Sequence, residues 1–456
     1  MHQVLSSTAA LLLIANQVSA QRSVTVYQDG RVMVRSALPV GLPQGASTHN
    51  LGLGFLEPGS IFSLDPEVAV TGASYDAAVD EQNTLRRAIG RKLVFETGGM
   101  TNGVRDTVVA EVLGVEPELY RLADGTVTFQ RPGRARYPFD LVLTAPTVSL
   151  AVRSTAARDQ LRLAWFTDGA GWSAAYQAVL NRGSARVTGQ AQILPGRLSM
   201  DETEVQLLAG NIGRAPQSRD EALQMYRKEM MVARAAEAPP APAEEQQVGE
   251  AHLYSIPGRY TLRPGVTTVA SLFDPVSTSW ERVYTVRGQL PWYGPIPQYG
   301  EAMPSPVEVQ YVLKRAAQSP FGQKPLPGGT WRLFEPDSAG RQQLVAEAAS
   351  QHTAAGQDLR LTAGTAFDIT AERVQTEYVT QREARRTIAT IAYRVTISNA
   401  KDSAVTVDVL EDRRGEWQVL ESSVPAEKLS AFQSRFRVRV PASGQVSLTY
   451  RLRAIW

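Results

Sequence analysis

The feature that most constrains this chain is a two-residue alternation of apolar and polar side chains that recurs along most of its length. In SVTVYQDGRVMVRS (residues 23–36) the alternation runs into Asp29-Gly30 and resumes beyond it, the signature of a hairpin. LADGTVTF (residues 122–129) repeats the pattern around Asp124-Gly125. Further strands are expected at Thr147–Arg153, Leu161–Phe166, Ser173–Leu180, Arg186–Leu194 and Glu204–Asn211. Towards the end they recur at Thr387–Ser398, Val405–Leu410, Trp417–Ser422, Arg435–Val440 and Val446–Ala454. Side chains of period two cover one face of a sheet, so such a chain buries itself by stacking sheets. The expected fold is mainly β, with multiple immunoglobulin-like β-sandwich domains and a short helical insertion and linker.

Two helices interrupt the pattern. Ala77–Ile89 follows Asp76 as a cap and ends at Gly90, and Ser218–Ala235 places Leu223, Tyr226 and Met230 on one face. PPAPAEEQQ after the second helix reads as an extended linker. The expected divisions are a leader at 1–20, an N-terminal β-rich domain with one helix at 21–150, and a β domain at 151–215 and 251–360. Helix and linker at 216–250 interrupt that β domain, and a C-terminal sandwich follows at 361–456.

MHQVLSSTAALLLIANQVSA carries no charge, an apolar run at Ala9–Ala15 and a small-x-small end at Val18-Ser19-Ala20. This is the form of a secretory leader cleaved after Ala20, and the run is too short to span a bilayer. The expected location is therefore periplasmic or secreted, with no transmembrane span after cleavage. The chain has no cysteine, which excludes disulfides and thiolate metal sites. With 47 basic and 45 acidic residues the net charge is +2, which gives no footing for nucleic-acid binding.

Motif matches yield little chemistry. GAGWSA (residues 169–174) fits the dinucleotide fingerprint, but the next acidic residue after Asp168 is Asp201, too far on to hold a ribose. Trp172, Ala174, Tyr176, Ala178 and Leu180 alternate as a strand does. The stretch is expected to be the turn of a β-hairpin, with Gly171, Trp172 and Tyr176 structural. SNAK (residues 398–401) matches the S-x-x-K of penicillin-binding proteins without its partner motifs, and a hairpin loop is expected there. His49, His252 and His352 show no recognised ligand spacing, so no metal and no cofactor are expected. Trp165, Trp172, Tyr176, Trp331 and Trp417 are expected to be core aromatics first and ligand platforms second. The last strand, SLTYRLRAIW, alternates as a barrel strand would, but the Pro-rich stretches and helices do not suit an outer-membrane barrel.

Several stretches together resemble a bacterial family known as a domain of unknown function, the C-terminal domain of mucoidy-inhibitor-A-like proteins. They are Gly171-Trp172-Ser173 with Tyr176, LLAGNIGR (207–214), HLYSIPGRYTL (252–262), KPLPGGTWRLFE (324–335), GTAFDI (364–369), VTISNAK (395–401) and GEWQVLESS (415–423). The match spans roughly Leu161 to Trp456, and YDAAVDEQNTLRRAIGRKL (75–93) resembles the region upstream. The resemblance implies an exported, mostly β protein of the cell envelope with a helical insertion, and it supplies no catalytic residues. Here the insertion is one short helix, which argues against a partner-binding coiled coil. His252, Tyr254 and Trp331 are the candidate binding residues, and Asp368 joins Gly171, Trp172 and Tyr176 as structural. The expected function is non-enzymatic binding of an envelope glycan or envelope protein through the β domains. The alternative is a periplasmic hydrolase whose site no motif announces.

Overall fold

The computed structural model describes residues 22–101, 104–210, 212–213, 245–288, 300–383, 386–413 and 415–455. Their strands form six sheets, mostly antiparallel. The chain is thus mainly β, multi-sheet and sandwich-like, as the alternation requires. It divides into two compact units. The first comprises Met1–Gly171, Leu194–Leu208 and Ile256–Thr268; the second comprises Trp172–Ile193, Ala209–Ser255 and Val269–Trp456.

In the first unit Arg22–Tyr27 and Arg31–Leu38 pair antiparallel through a turn in which Gly30 takes φ +92. Leu161–Asp168 adds to the far side of Arg31–Leu38, and Met200–Ala209 runs parallel to Arg22–Tyr27. One face of this sheet carries Val24, Val26, Val32, Val34, Leu163 and Trp165, all buried. A three-stranded sheet, with Thr147–Ser154 between Gly45–Leu51 and Val68–Asp76, adds Val148, Leu150 and Val152. A five-stranded sheet centred on Lys92–Thr101 and Val104–Val115 encloses a core of its own, in which Leu93, Phe95, Val112 and Tyr120 pack with Leu85 of the helix.

That helix spans Glu81–Arg87, shorter than Ala77–Ile89. Its cap is Asp80, whose carboxylate accepts from Asn83 N–H at 2.8 Å. Asp76 instead ends a strand and accepts from Ala78 N–H at 3.0 Å, a local turn that competes with helix. Ala88 closes the last turn, and Gly90 leaves it at φ +80.

In the second unit a sheet runs in the order Thr268–Thr278, Ser184–Leu194, Gly171–Asn181, Gly329–Pro336 and Gln342–Ser350. The remaining strands build a sandwich. One layer contains Trp280–Arg287, Val307–Leu313, Val405–Asp412 and Gln433–Val440; the other contains Ile369–Glu383, Arg386–Asn399, Gly444–Ile455 and Glu416–Ser422. Val286, Val407, Phe436, Ile391, Val395 and Leu452 meet between the layers. The sandwich therefore takes in strands well ahead of residue 361. Gly444–Ile455, the barrel-like run, is an inner strand of the second layer, flanked by Arg386–Asn399 and Glu416–Ser422.

Three local expectations are corrected. Leu161–Asp168 and Gly171–Asn181 do not pair with each other; the chain passes at GAGWSA from one unit to the other rather than turning in a hairpin. Gly169 is nonetheless a tight-turn residue, with φ +85 and its N–H donating to Gly30 O at 3.0 Å. SNAK likewise joins strands of the two opposed layers, Arg386–Asn399 and Val405–Asp412, and is an arch rather than a hairpin. The linker expected to reach residue 250 gives way earlier. Glu245–Val248 is a strand that turns at Gly249 (φ +62) and pairs with Ala251–Tyr254. The helix expected at Ser218–Ala235 lies outside the described residues. Among the described residues no helix is long and apolar enough to cross a membrane.

Candidate functional site

The first unit holds a cavity of about 360 Å³ whose floor is the face of the Arg31–Leu38 sheet. Alternation along RVMVRSAL turns Val34, Ser36 and Leu38 to this face, and register sets Arg22 opposite Ser36 and Trp165 opposite Val34. Ser36 is 3% exposed, and among the described residues its hydroxyl has no hydrogen-bond partner. Leaving such a group unsatisfied costs about 1–3 kcal/mol, which needs a compensating reason. Thr167, beyond Trp165 on the same strand, adds a second buried hydroxyl, and Trp165 itself is 3% exposed.

Further segments complete the walls: Leu53, Gly54 and Phe55 contribute from one, Arg197 to Met200 from a second, and Val79 with Thr144 to Pro146 close the rest. Arg197 holds its guanidinium carbon 5.2 Å from the Phe55 ring centroid, a cation–π contact. Among the described residues neither the Arg22 nor the Arg197 guanidinium forms an ion pair or a hydrogen bond. The lining includes no Asp, Glu, His or Lys. The cavity therefore joins two uncompensated positive charges to an apolar body.

The residues singled out from sequence lie in the second unit. Tyr176 and Trp331 are fully buried and stacked, with ring centroids 4.4 Å apart, while Phe321 meets Trp331 edge-on at 6.4 Å. Trp331 donates its indole N–H to Ser350 Oγ at 3.1 Å, and Tyr176 donates to Pro327 O at 2.8 Å. Trp331 is thus a core side chain and no surface platform. Tyr254 is corrected in the same way: it is 8% exposed, with its hydroxyl on Pro325 O at 3.3 Å and its ring against Trp172. Trp172 is 5% exposed at the head of a buried file that continues through Ala174, Tyr176, Ala178 and Leu180. Gly171 opens that strand. A dinucleotide would need a helix N-terminus there, and the segment is extended.

His252 is half-buried and lies close to His352. Burial first, and then His252, hold His352 below the ordinary histidine value. Its Nδ1 accepts from Gly328 N–H at 3.2 Å, which places the proton of the neutral ring on Nε2. Among the described residues no three His, Asp or Glu side chains gather as a metal site would require. Asp368 tethers the SNAK arch: its backbone carbonyl accepts from Ala400 N–H at 2.8 Å, and its carboxylate meets Lys401 Nζ at 2.9 Å. Trp417, expected in the core, is only half-buried, with Lys428 Nζ 4.8 Å from its ring centroid.

Two buried arginine clusters had no sequence signal. Arg315 is wholly buried, and its guanidinium donates to the carbonyl oxygens of Phe321, Lys324, Ala354 and Gln357. Burial pulls its pKa down to about 10. In the sandwich Arg373 bonds Glu411 and Tyr450, and Arg413 approaches Glu411 at 3.5 Å. Both clusters are enclosed by protein and read as framework. For the cavity one signal was visible: Ser36 is the polar residue that breaks the apolar file Val32, Val34, Leu38. Arg22 and Arg197 stand in no recognisable motif.

No protein-family model matches the chain, and no curated protein sequence matches it either.

Proposed function

We propose that this is a non-enzymatic binding protein of the cell envelope, and that the cavity in its first unit is where it takes hold of a glycan residue or a group presented by an envelope protein. In this reading the leader at residues 1–20 directs export, and the resemblance to the mucoidy-inhibitor-A-like domain family accounts for the mainly β framework. One observation carries the proposal: among the described residues the cavity combines two arginines without a carboxylate, a buried hydroxyl without a hydrogen-bond partner and an indole floor. Its volume sits at the lower end of small-molecule sites. A hydrolase would need a base within reach of a hydroxyl or a water, and the described lining residues include no Asp, Glu, His or Lys.

The test is a glycan array and a pull-down from envelope extract, run with the wild-type chain and with Ser199→Trp. Ser199 is exposed at the rim, so the added ring blocks the entrance without disturbing the core. Retention by the wild type and loss in an equally stable Ser199→Trp variant is the expected result. Equal retention by both would move the site elsewhere. N-terminal sequencing of the exported chain should begin at Gln21.

A further inference from the structure

Resting on that reading of the cavity, we infer that its ligand is a small carboxylate with an apolar body, held by Arg22 and Arg197. Charge makes the first argument. Several other arginines of the first unit meet carboxylates, among them Arg31 with Asp29 at 2.6 Å, Arg162 with Asp65 at 2.5 Å and Arg131 with Glu118 at 2.6 Å. Arg22 and Arg197 share one cavity with no acid in its lining. Arg22 is half-buried and Arg197 stands exposed at the rim; two like charges bordering one cavity repel each other, and a bound anion relieves both.

Geometry makes the second argument. A guanidinium whose face rests on an aromatic ring keeps its in-plane N–H donors available. Those donors match the two oxygens of a carboxylate. Arg197 holds its guanidinium carbon 5.2 Å from the Phe55 ring centroid, a contact that uses none of its N–H donors. Arg22 lies across the strand pair from Ser36, whose buried hydroxyl supplies one further donor at the same end of the floor.

The third argument is the rest of the lining. Val34, Leu38, Trp165, Leu198 and Met200 suit a hydrocarbon or aromatic body, and their bulk leaves little room for a second charged group. A ligand with one charged end and one apolar end uses every part of the site.

The probes are benzoate and hexanoate, their neutral counterparts benzamide and hexanamide, and phenyl phosphate. Binding is measured by ligand-observed NMR and calorimetry on the full exported chain. Both acids are expected to bind, and both amides to bind at least about tenfold more weakly, a difference of about 1.4 kcal/mol. Arg22→Gln and Arg197→Gln should each weaken benzoate by about tenfold, and added salt should weaken it further. Arg22→Gln should leave the melting temperature unchanged, because its guanidinium meets no partner among the described residues, and Arg197→Gln should lower it little, because it gives up only a contact with the exposed Phe55 ring. Amides that bind as tightly as acids would overturn the inference, as would phenyl phosphate binding more tightly than benzoate. So would arginine variants that bind unchanged. If the acids fail while a glycan or partner still binds in a manner blocked by Ser199→Trp, the carboxylate assignment is wrong and the binding site stands. If nothing that binds is sensitive to Ser199→Trp, the site itself is wrong.

Discussion

Tyr176 and Trp331 stand opposite each other in parallel register, on strands more than 150 residues apart in sequence, with their rings stacked at an interplanar angle of 14°. Parallel neighbours need a long connection, so this one contact ties the start of the second unit to its middle.

Removing the stack should therefore unfasten the sheet. Trp331→Ala is expected to cost about 3–5 kcal/mol, and Trp172→Ala, at the head of the same buried file, a similar amount. Thermal melts of both variants check this. A variant that melts like the wild type would show that the ring is not packed as described.

Glu411 predicts an acid-sensitive sandwich. Burial alone would raise its pKa, but Arg373 and Arg413 outweigh burial and hold it below the usual carboxylate range. A depressed carboxyl stabilises the fold above its ordinary value, and that stability is lost as pH falls through the folded value. Glu411→Gln should cost about 3–5 kcal/mol at neutral pH by leaving two buried guanidinium groups uncompensated. It should also flatten the acid limb of stability against pH. An unchanged limb would assign the acid sensitivity to other groups.

His352 acts at milder pH. Its lowered pKa means that the folded state favours the neutral ring. This stabilisation is complete above the ordinary histidine value and declines as pH falls from there through the folded value. The wild type should lose more melting temperature between pH 7 and pH 5 than His352→Gln does. Parallel losses would count against the His252–His352 interaction.

Gly196 should tolerate no side chain. It takes φ +60, and a Cβ there would collide with the carbonyl of Gly169. Gly196→Ala should destabilise the first unit, whereas Gly59→Ala, in open space at ordinary φ, should be close to neutral. Chemical denaturation of the two variants compares them directly.

Strands are legible in this chain because alternation is local, and partners are not. Asp168-Gly169 between two alternating runs has the form of a hairpin, yet Gly171–Asn181 finds its partner at Gly329–Pro336. No residue near the turn specifies that choice. Burial is legible where a whole file is apolar, as from Trp172 to Leu180. It is misjudged where a lone aromatic stands between polar residues, as at Trp417. The helix start depends on which of two aspartates caps, and only Asp80 has its carboxylate at Asn83 N–H. The cavity assembles from residues 22, 36, 55, 165 and 197, which only the folded sheet brings together. Ser36 is the one member that departs from its local pattern.

The alternation of chain segments between the two units bears on how this protein is made and inherited. The strand at Arg22–Tyr27 cannot complete its pairing until Met200–Ala209 has been synthesised, and the first unit gains its last segment only at Ile256–Thr268. By then the second unit has already begun, at Trp172. Neither unit corresponds to one uninterrupted stretch of gene. A recombination event that copied or moved either alone would carry an unfinished sheet. An exchange that preserves both folds therefore has to carry the two units together.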